Sequence, residues 1–367
     1  GVENEVSVLK IGTPYPMPDD LVKEMLKSVK EIVVVEELEP VVENQVKVLA
    51  QEQKIDVLIH GKDVVPLVGE LSTRKVSESL AKVLGVKPPM DFQKLDKVEK
   101  EAEALLPIRP PALCPGCPHR ATLYSVNVAA LKYKKDFHVE PIKTGDIGCY
   151  ALGFNPPLNS DDAAICMGAA FGLANGFAHA NNKIPVIAHL GDSTFFHSGI
   201  APMVNAVYNN ARVVMLVLDN SITGQTGFQP NPCSGSTALG AAAPVLKPED
   251  VARACQVPYV EVVDPYEVNR TTSIIAQALR SGGPAVVVSR QVCQVLHLRA
   301  LKKKGEKEVP CEVIPAKCND CPTCITALGC SAIIFKDTHV VIDATQCSGC
   351  GVCIPVCPRG AIKKGDK

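Results

Sequence analysis

The sequence predicts an α/β protein that ends in a small cysteine-rich α+β domain. Short, uninterrupted apolar runs, such as residues 213–218, alternate with helical patterns, which is typical of parallel strands covered on both faces. Eight of the 16 cysteines fall within residues 318–357. The length of 367 residues, with 46% hydrophobic and 21% charged residues, indicates two or three packed domains.

The overall charge and the scarcity of aromatic residues exclude several classes of partner. The formal net charge is −1, and the chain has seven Tyr, nine Phe and no Trp, so we expect neither nucleic acid nor an anionic membrane as a partner. No apolar run reaches the ~18–20 residues needed to span a bilayer, and no secretory signal is visible. The chain begins with Gly1 and not with Met, so we expect a fragment or a processed form.

Composition and periodicity divide the chain into three predicted domains joined by two linkers. In chain order these are an α/β domain at 1–95, a charged and Pro-rich linker at 96–111, a second α/β domain at 112–295, a basic linker at 296–310 and the cysteine-rich domain at 311–367. In the first domain we predict strands at 31–35 and 56–59 and helices at 19–30 and 40–51. The second domain is predicted to be doubly wound, with strands at 184–190, 213–218 and 285–289 and a helix at 163–180.

Polar residues follow two neighbouring strands of the second domain. Gly191-Asp192-Ser193 ends one strand and Asp219-Asn220 ends the next. Ligands bind at the carboxyl edge of open parallel sheets, and a carboxylate, an amide oxygen and a loop carbonyl suit Mg²⁺. Helices predicted after Ser198-Gly199 and near Cys166-Met167-Gly168 would offer amides to a diphosphate. The residues therefore predict a Mg²⁺-diphosphate site, and the alternative is an Asp/Asn pair that caps two loops.

The cysteines near the C-terminus follow a spacing that is typical of bacterial two-cluster ferredoxins. The second run is Cys347-x2-Cys350-x2-Cys353-x3-Cys357-Pro358, and the first is Cys318-x2-Cys321-x2-Cys324-x5-Cys330. In such runs the fourth cysteine binds the neighbouring cluster. We therefore predict one [4Fe–4S] cluster on Cys318, Cys321, Cys324 and Cys357, and another on Cys330, Cys347, Cys350 and Cys353. Zinc, which also takes four thiolates, is the alternative, and the longer gap before Cys330 departs from the usual spacing.

Three motifs of the second domain resemble the 2-oxoacid:ferredoxin oxidoreductases, and within them the α subunits of the indolepyruvate-type enzymes. They are the loop at 218–230, Cys114-Pro115-Gly116-Cys117-Pro118-His119-Arg120 and Asp146-Ile147-Gly148-Cys149. The domain order is also similar: a transketolase-C-terminal-like domain, then a thiamine diphosphate-binding domain, then a two-cluster ferredoxin domain. The N-terminal pyrimidine-binding domain of that family is missing from the sequence. The resemblance thus implies that another chain or segment supplies it.

The resemblance also assigns residues to the cofactors. Asp192, Asn220 and the backbone carbonyl of Ile222 would hold Mg²⁺ on the diphosphate, with further cofactor contacts from Met167, Gly168, Gly191, Ser193, Thr223 and Gly224. A third, proximal [4Fe–4S] cluster would be bound by Cys114, Cys117, Cys149 and Cys293, and the alternative is a pair of unrelated turns. The four remaining cysteines are expected to be small buried thiols: Cys166, Cys233, Cys255 and Cys311. His119 and His189 are candidates for proton transfer, and the alternative is that they are merely packed.

The activity implied by the resemblance is thiamine diphosphate-dependent oxidative decarboxylation of an arylpyruvate to aryl-acetyl-CoA and CO₂, with electrons passed through [4Fe–4S] clusters to ferredoxin. The partners it implies are ferredoxin, CoA, a 2-oxoacid and a β- or γ-type subunit, in a hetero-oligomer in the cytoplasm. Three alternatives remain: an oxidoreductase for another 2-oxoacid (pyruvate, branched-chain or 2-oxoglutarate), an electron-transfer subunit with a vestigial thiamine fold, and a non-oxidative thiamine enzyme with structural clusters.

Overall fold

Two compact units make up the chain, Gly1–Arg109 and Pro110–Lys367. The computed structural model describes residues 5–88, 90–107 and 110–366. The predictions that concern the first residues of the chain, and the part of the first linker at residues 108 and 109, lie outside the described residues. The domain and linker boundaries set out above stay predictions.

The first unit contains a short parallel sheet and four helices. In chain order its elements are α1 Asp19–Ser28, β1 Glu31–Val33, α2 Val41–Glu52, β2 Leu58–His60, α3 Thr73–Leu84 and α4 Phe92–Glu103. Strands β1 and β2 pair in parallel, with Ile32 opposite Ile59, and Leu26 and Leu49 are buried beneath them. The predicted strands and helices of this unit are therefore confirmed to within two residues at each end. Helix α4 runs into the segment predicted as a linker because the Asp91 side chain caps it, accepting from Lys94 N at 3.1 Å.

A five-stranded parallel sheet is the centre of the second unit. Its first elements are α5 Pro118–Phe137, β3 Ile142–Thr144, the 3₁₀ turn Cys149–Phe154, α6 Ala170–Ala180, β4 Val186–Gly191, α7 Asp192–Thr194, the π-helical turn Phe195–Gly199, α8 Ile200–Tyr208, β5 Val213–Asp219, α9 Pro248–Ala254, β6 Tyr259–Val263, α10 Val268–Arg280 and β7 Ala285–Arg290. The strand order is β3-β4-β5-β7-β6. Residues of α5 and α10 form one apolar core with the sheet, and residues of α6, α8 and α9 form the other. The doubly wound α/β fold is thereby confirmed.

One helix start in this unit differs from the prediction, because the helix predicted at 163–180 was placed too early. It begins at Ala170, because Ala163 forms a bridge with Thr144 at the sheet edge and the carboxylate of Asp146 accepts from Gly168 N (2.8 Å) and Ala170 N (3.2 Å). The helix predicted after Ser198-Gly199 is confirmed as α8, which begins at Ile200. The helical run already begins at Asp192, directly after β4.

The last part of the second unit is a small α+β region rich in cysteine. Its elements are α11 Gln294–Lys304, β8 Cys311–Val313, α12 Thr323–Thr326, β9 Ile333–Lys336, β10 His339–Ile342, α13 Cys353–Val356 and β11 Ile362–Lys364. Strands β9 and β10 pair antiparallel, as do β8 and β11. Helix α11 occupies the first half of the predicted basic linker. Among the described residues, no helix combines the length and the apolar character needed to cross a membrane.

Candidate cofactor site and cysteine cavities

The turn Gly191-Asp192-Ser193, which we call the metal turn, lies at the carboxyl end of β4. Asp192 is buried, with 3% of its surface exposed. Its Oδ1 accepts from Ser193 N at 2.7 Å, and its Oδ2 is buried with no hydrogen-bond partner among the described residues. Burial, followed by the charge of Asp219, raises the pKa of Asp192 to about 7. This carboxylate is therefore suited to receive a cation.

Strand β5 ends beside the same turn, in Asp219 and Asn220. Asp219 is neutralised by Arg290, whose Nε donates to Asp219 Oδ2 at 2.6 Å, while the other guanidinium nitrogens bind Glu249 at 2.8 and 2.6 Å. Asn220 Oδ1 accepts a hydrogen bond from Ile222 N (3.2 Å), and Asn220 Nδ2 donates to His119 Nε2 (3.1 Å). Asp192 is thus the carboxylate at this edge that lacks a cationic partner among the described residues.

The loop after Asn220 reaches toward a cysteine of the predicted proximal set. Thr223 and Gln229 exchange two backbone hydrogen bonds, at 3.0 and 3.2 Å, which close the loop. A Cβ built on Gly224 would lie 3.5 Å from Cys149 Sγ. The predicted cofactor loop therefore lies within van der Waals range of this cysteine.

Tyr150 fixes the position of the metal turn through a hydrogen bond to Gly191. Gly191 N donates to Tyr150 Oη at 2.9 Å, and Tyr150 Oη donates to Ile147 O at 2.9 Å. The Tyr150 ring also lies edge-on between the rings of His119 and His189, with centroid separations of 5.5 and 5.4 Å. The position of the turn is therefore fixed by a residue adjacent to Cys149 in sequence.

The two candidate proton-transfer histidines are buried and hold neutral rings. Burial lowers the pKa of His119 to about 4, with a smaller effect of the charge of His189. Burial also lowers the pKa of His189, although Asp161, whose Oδ1 lies 3.2 Å from His189 Nδ1, acts in the opposite direction. His119 contacts Asn220 and so positions it, and a catalytic role for either histidine stays a prediction.

The loop before α6 was expected to offer amides to a diphosphate. Two of these amides, on Gly168 and Ala170, donate to Asp146 instead. Gly168 has φ +92°, and a Cβ there would lie 2.6 Å from Ser198 Cβ, so this residue brings the loop close to the π-helical turn. Met167 is partly exposed beside it. Cys166, predicted to be a buried thiol, is exposed because it lies in this loop.

The structure brings the four cysteines of the predicted proximal set together. Cys114 and Cys117 form a turn closed by a 3.1 Å hydrogen bond from Cys117 N to Cys114 O, and Cys293 N donates to Asn220 O at 3.1 Å. Burial raises the pKa of Cys149, and the charges of Cys293 and Cys114 raise it further, which requires the three thiols to be neighbours. Their role as cluster ligands stays a prediction.

Two apolar cavities in the C-terminal region contain the eight remaining predicted ligands. We call them the first cysteine cavity, which is lined by Cys318, Cys321, Cys324 and Cys357, and the second cysteine cavity, which is lined by Cys330, Cys347, Cys350 and Cys353. Cys311 and Cys117 also line the second cavity. Each cavity therefore contains the four cysteines predicted to bind one cluster: three from one cysteine run and the fourth cysteine of the other run.

Arg120 explains how the longer spacing before Cys330 is accommodated. This residue follows His119 in α5 and is 4% exposed. Its guanidinium donates to the carbonyls of Leu328 (3.1 Å), Gly329 and Leu113 (2.5 Å). Gly329 takes φ +65°, a conformation that favours glycine. A cation from the sheet domain thus holds the loop that delivers Cys330 to the second cysteine cavity.

The turn of the predicted proximal set contacts the second cysteine cavity directly. A Cβ on Gly116 would fall 1.9 Å from Ser348 Oγ, and Ser348 lies between Cys347 and Cys350 in sequence. Tyr266 Oη donates to Gly116 O at 2.6 Å and contacts Gln294 Oε1 at 2.9 Å. The two cysteine groups are therefore in van der Waals contact through backbone.

Sequence reasoning missed several residues of these sites. Arg290 is the last residue of the apolar strand β7, so the rule that drew attention to Asp192 and Asn220 could have found it. No comparable signal marks Tyr150, or Cys233, which is buried against the two aspartates. Their positions depend on how loops return to the sheet edge, which spacing along the chain does not encode.

Fold and site together define a thiamine-enzyme type of α/β domain joined to an iron–sulfur binding region. The family described as thiamine pyrophosphate enzyme, C-terminal TPP binding domain, matches residues 146–289. The family described as 4Fe-4S binding domain matches residues 340–363. The first match contains Asp192 and Asn220, and the second contains four of the predicted cluster ligands: Cys347, Cys350, Cys353 and Cys357.

Similarity to known proteins extends over almost the entire chain. It is 42% identical over 379 aligned residues to indolepyruvate oxidoreductase subunit IorA of Pyrococcus horikoshii, and 41% identical to the protein of that name from Pyrococcus abyssi. Each alignment covers 99% of this chain and 57% of the relative. The chain is therefore similar to the indolepyruvate oxidoreductase subunits, as its motifs predict, and it spans a little over half of their length.

Among solved structures, one similar chain belongs to a 2-oxoglutarate:ferredoxin oxidoreductase from Magnetococcus marinus. It has 22% sequence identity and a TM-score of 0.42, over 51% of this chain and 66% of that one.

Proposed function

We propose that the chain is the thiamine diphosphate- and cluster-binding part of a 2-oxoacid:ferredoxin oxidoreductase that converts an arylpyruvate and CoA to aryl-acetyl-CoA and CO₂. One observation carries the proposal. Three contacts lie between the metal turn and the second cysteine cavity: Gly191 with Tyr150, Cys149 with Gly224, and Gly116 with Ser348. The arylpyruvate is supported by the name of the relatives, indolepyruvate oxidoreductase.

The residues at the sheet edge fit a diphosphate-bound Mg²⁺. Asp192 Oδ2 is a buried oxygen with no hydrogen-bond partner among the described residues. Such a carboxylate oxygen is a suitable ligand for a hard cation. Asn220 Oδ1 and the carbonyl of Ile222 would complete the protein's share of the coordination. Thiamine diphosphate, when bound, supplies the carbon nucleophile and the electron sink for loss of CO₂ from a 2-oxoacid.

The chain's own residues hold this site in one geometry. His119 is neutral, so its Nε2 accepts from the amide of Asn220 and fixes the orientation of that side chain. Tyr150 fixes Gly191 and thereby Asp192. Arg290 forms an ion pair with Asp219 and so neutralises the second carboxylate next to Asp192. This favours the binding of a single cation at the turn.

The cysteine cavities fit cubane iron–sulfur clusters, which supply one-electron steps when bound. Backbone N–H groups point at the ligand sulfurs, as clusters require: Cys311 N at Cys347 Sγ (3.3 Å), Ala361 N at Cys357 Sγ (3.3 Å) and Asp320 N at Cys318 Sγ (3.4 Å). Since the second cysteine cavity contacts the Cys114–Cys117 turn, it would receive electrons before the first.

The remaining parts of the proposal concern partners. The relatives are longer than this chain, which supports a pyrimidine-binding segment outside it. The family resemblance supports ferredoxin as the acceptor and a second subunit type in a hetero-oligomer. The iron–sulfur clusters and the ferredoxin partner proposed here support a reducing compartment such as the cytoplasm.

The complex that contains this chain, purified without oxygen, tests the proposal. With an arylpyruvate and CoA it should reduce ferredoxin or a viologen, and omission of CoA should stop turnover. A panel of pyruvate, branched-chain 2-oxoacids and 2-oxoglutarate tests the substrate class. Absence of CoA-dependent reduction with every 2-oxoacid would exclude the activity, and zinc in place of iron in the purified complex would exclude the cluster assignment.

A further inference from the structure

A third group faces the two aspartates at the sheet edge. Cys233 Sγ lies with one carboxylate oxygen each of Asp192 and Asp219 in a group whose atoms are all within 4.8 Å of one another. All three residues are buried, with exposures of 4%, 3% and 3%. We call this group the acidic corner. It contains a soft sulfur atom where an oxygen-only magnesium site has none.

The loop that carries Cys233 is held rigidly. Asn231 Oδ1 accepts from Cys233 N at 2.9 Å, Asn231 N donates to Ser234 Oγ at 3.1 Å, and Ser234 Oγ donates to Asn231 O at 2.7 Å. These bonds form a closed turn that points the thiol back toward β4 and β5. The backbone from which the Cys233 side chain projects is therefore fixed by the fold.

One atom indicates that a cation belongs in this corner. Asp192 Oδ2 is buried without a hydrogen-bond partner among the described residues. Leaving such an oxygen unpaired is costly. Asp219 already shares its charge with Arg290 at 2.6 Å, so the cation that the corner lacks is one for Asp192.

We propose that Cys233 is a ligand of a divalent cation site shared with Asp192 and Asp219, and that this site accepts a thiophilic transition-metal ion of the Zn²⁺ or Co²⁺ class. Carboxylates alone favour Mg²⁺ or Mn²⁺, whereas a thiolate shifts preference toward zinc-like ions. Two carboxylates and one sulfur leave a fourth, open position. On binding, the S–H bond of Cys233 breaks, a sulfur–metal bond forms and the proton passes to solvent, with no change in oxidation state.

The inference rests on the proposed function only in sharing Asp192 with the expected magnesium site. Zn²⁺ and Mg²⁺ cannot both be coordinated by this carboxylate at the same time, so Zn²⁺ is expected to compete with Mg²⁺. The thiol is not needed for Mg²⁺, which takes oxygen ligands. Replacement of Cys233 should therefore change the affinity for Zn²⁺ and leave the affinity for Mg²⁺ unchanged.

X-ray absorption at the zinc edge tests this in the whole complex, because iron clusters do not contribute at that edge. Anaerobic complex, freed of divalent ions and given one equivalent of Zn²⁺, should show a sulfur neighbour at about 2.3 Å from zinc. Cys233→Ser should lose that neighbour and bind Zn²⁺ about tenfold or more weakly. Cys255→Ser, at a cysteine outside the corner, is the matched control and should keep both.

The outcomes separate this inference from the proposed function. Zinc with oxygen and nitrogen neighbours only in the unmodified complex would overturn the site, and this measurement does not depend on any variant's folding. A zinc–sulfur distance that persists in Cys233→Ser would overturn the assignment of the ligand. Calorimetry of Mg²⁺ and thiamine diphosphate on the same samples reports independently whether the thiamine site exists.

Discussion

The acidic corner and the two cysteine cavities are both built to be completed by a metal, but they use opposite chemistry. The corner holds buried carboxylates, one of them without a hydrogen-bond partner on Oδ2 among the described residues. The cavities hold thiols within apolar surroundings, and backbone N–H groups point at their sulfurs. Hard oxygen ligands suit Mg²⁺, and thiolates suit iron–sulfur clusters.

Protonation shows what this difference means for pH. The pKa of Asp192 is raised to about 7 by burial and by Asp219, so the corner changes charge in the physiological range. Burial raises the pKa of Cys117 to about 12, so its thiol keeps the proton until a metal displaces it. Metal binding at the corner is therefore expected to depend on pH near neutrality.

The largest expected effects come from removing one cysteine from each cavity. Cys324→Ala and Cys350→Ala should each lose about one cluster's worth of iron and abolish ferredoxin reduction, because each breaks the path. The two variants differ in what substrate can reduce. In Cys324→Ala the cluster of the second cysteine cavity should still be reduced by arylpyruvate and CoA, as seen by electron paramagnetic resonance.

In Cys350→Ala, by contrast, the cluster of the first cysteine cavity should remain oxidised with substrate and become reduced only with dithionite. Reduction of that cluster by substrate in this variant would show that electrons enter through the first cavity. It would also contradict the proposal that electrons enter the second cysteine cavity where Gly116 contacts Ser348.

The acidic corner is tested by Asp192→Asn. This variant should lose Mg²⁺-dependent binding of thiamine diphosphate, measured by calorimetry, because the neutral amide no longer compensates a cation. Iron and sulfide content should stay unchanged, since the cysteine cavities do not contain this residue. Retained thiamine diphosphate affinity would show that the metal is held elsewhere.

The same residue should set the pH dependence of stability in the absence of divalent ions. Its pKa is raised from the usual 3.8 to about 7 in the folded chain, so the folded state holds a proton that the unfolded chain releases. That contribution is present in full below about pH 4 and is lost as pH rises through about 7. The melting temperature of metal-free protein should therefore fall from pH 6 to pH 8.

Two controls belong to this measurement. Added Mg²⁺ should restore the melting temperature at pH 8, because the ion replaces the proton, and Asp192→Asn should flatten the slope. An equally steep slope in Asp192→Asn would assign the proton to another group.

Spacing along the chain predicted the cysteine cavities better than it predicted the acidic corner. The intervals between cysteines indicate which residues share a cluster, because a short turn fixes the positions of three sulfurs at once, and the exchange of Cys330 and Cys357 follows from the same pattern. The structure places both residues in the expected cavities. The apolar runs likewise predicted β4, β5 and β7, since strands buried on both faces contain few polar residues.

What could not be predicted depends on contacts between distant segments. Arg120 reaches Leu328 across 208 residues of sequence, and Cys233 meets Asp192 only after a long loop folds back. The start of α6 was misplaced because its small residues fit a helix equally well from 163 onward, and only the Asp146 carboxylate determines where the first turn begins.

The contact between the cysteine groups is tested by a pair of glycine variants. Gly116→Ala would place a methyl group 1.9 Å from Ser348 Oγ at φ +71°, whereas Gly305→Ala has φ +73° and no atom within 4 Å. Both variants should lose about 1–2 kcal/mol for the left-handed conformation. Gly116→Ala should lose about 1–3 kcal/mol more for overpacking, as measured by denaturant unfolding.

Gly116→Ala alone should also slow reduction of the second cavity's cluster by substrate in rapid-freeze experiments. Equal losses of stability in the two variants would show that the Ser348 side chain moves away at no cost. The contact would then be too loose to hold the two cysteine groups together.

The smallest expected effect concerns Tyr150, which joins the two regions because it follows Cys149 and fixes Gly191. Tyr150→Phe removes the hydroxyl that pairs Gly191 N and Ile147 O, at a cost of about 1–3 kcal/mol for the groups left unpaired. Tyr133→Phe is the matched control, since Tyr133 is also buried and its hydroxyl accepts from Arg212 at 2.6 Å. Both variants should lose stability, but only Tyr150→Phe should weaken Mg²⁺ binding in calorimetry. Equal Mg²⁺ affinities would mean that the metal turn keeps its geometry without the tyrosine, so that the acidic corner and the cysteine cavities are neighbours without being mechanically connected.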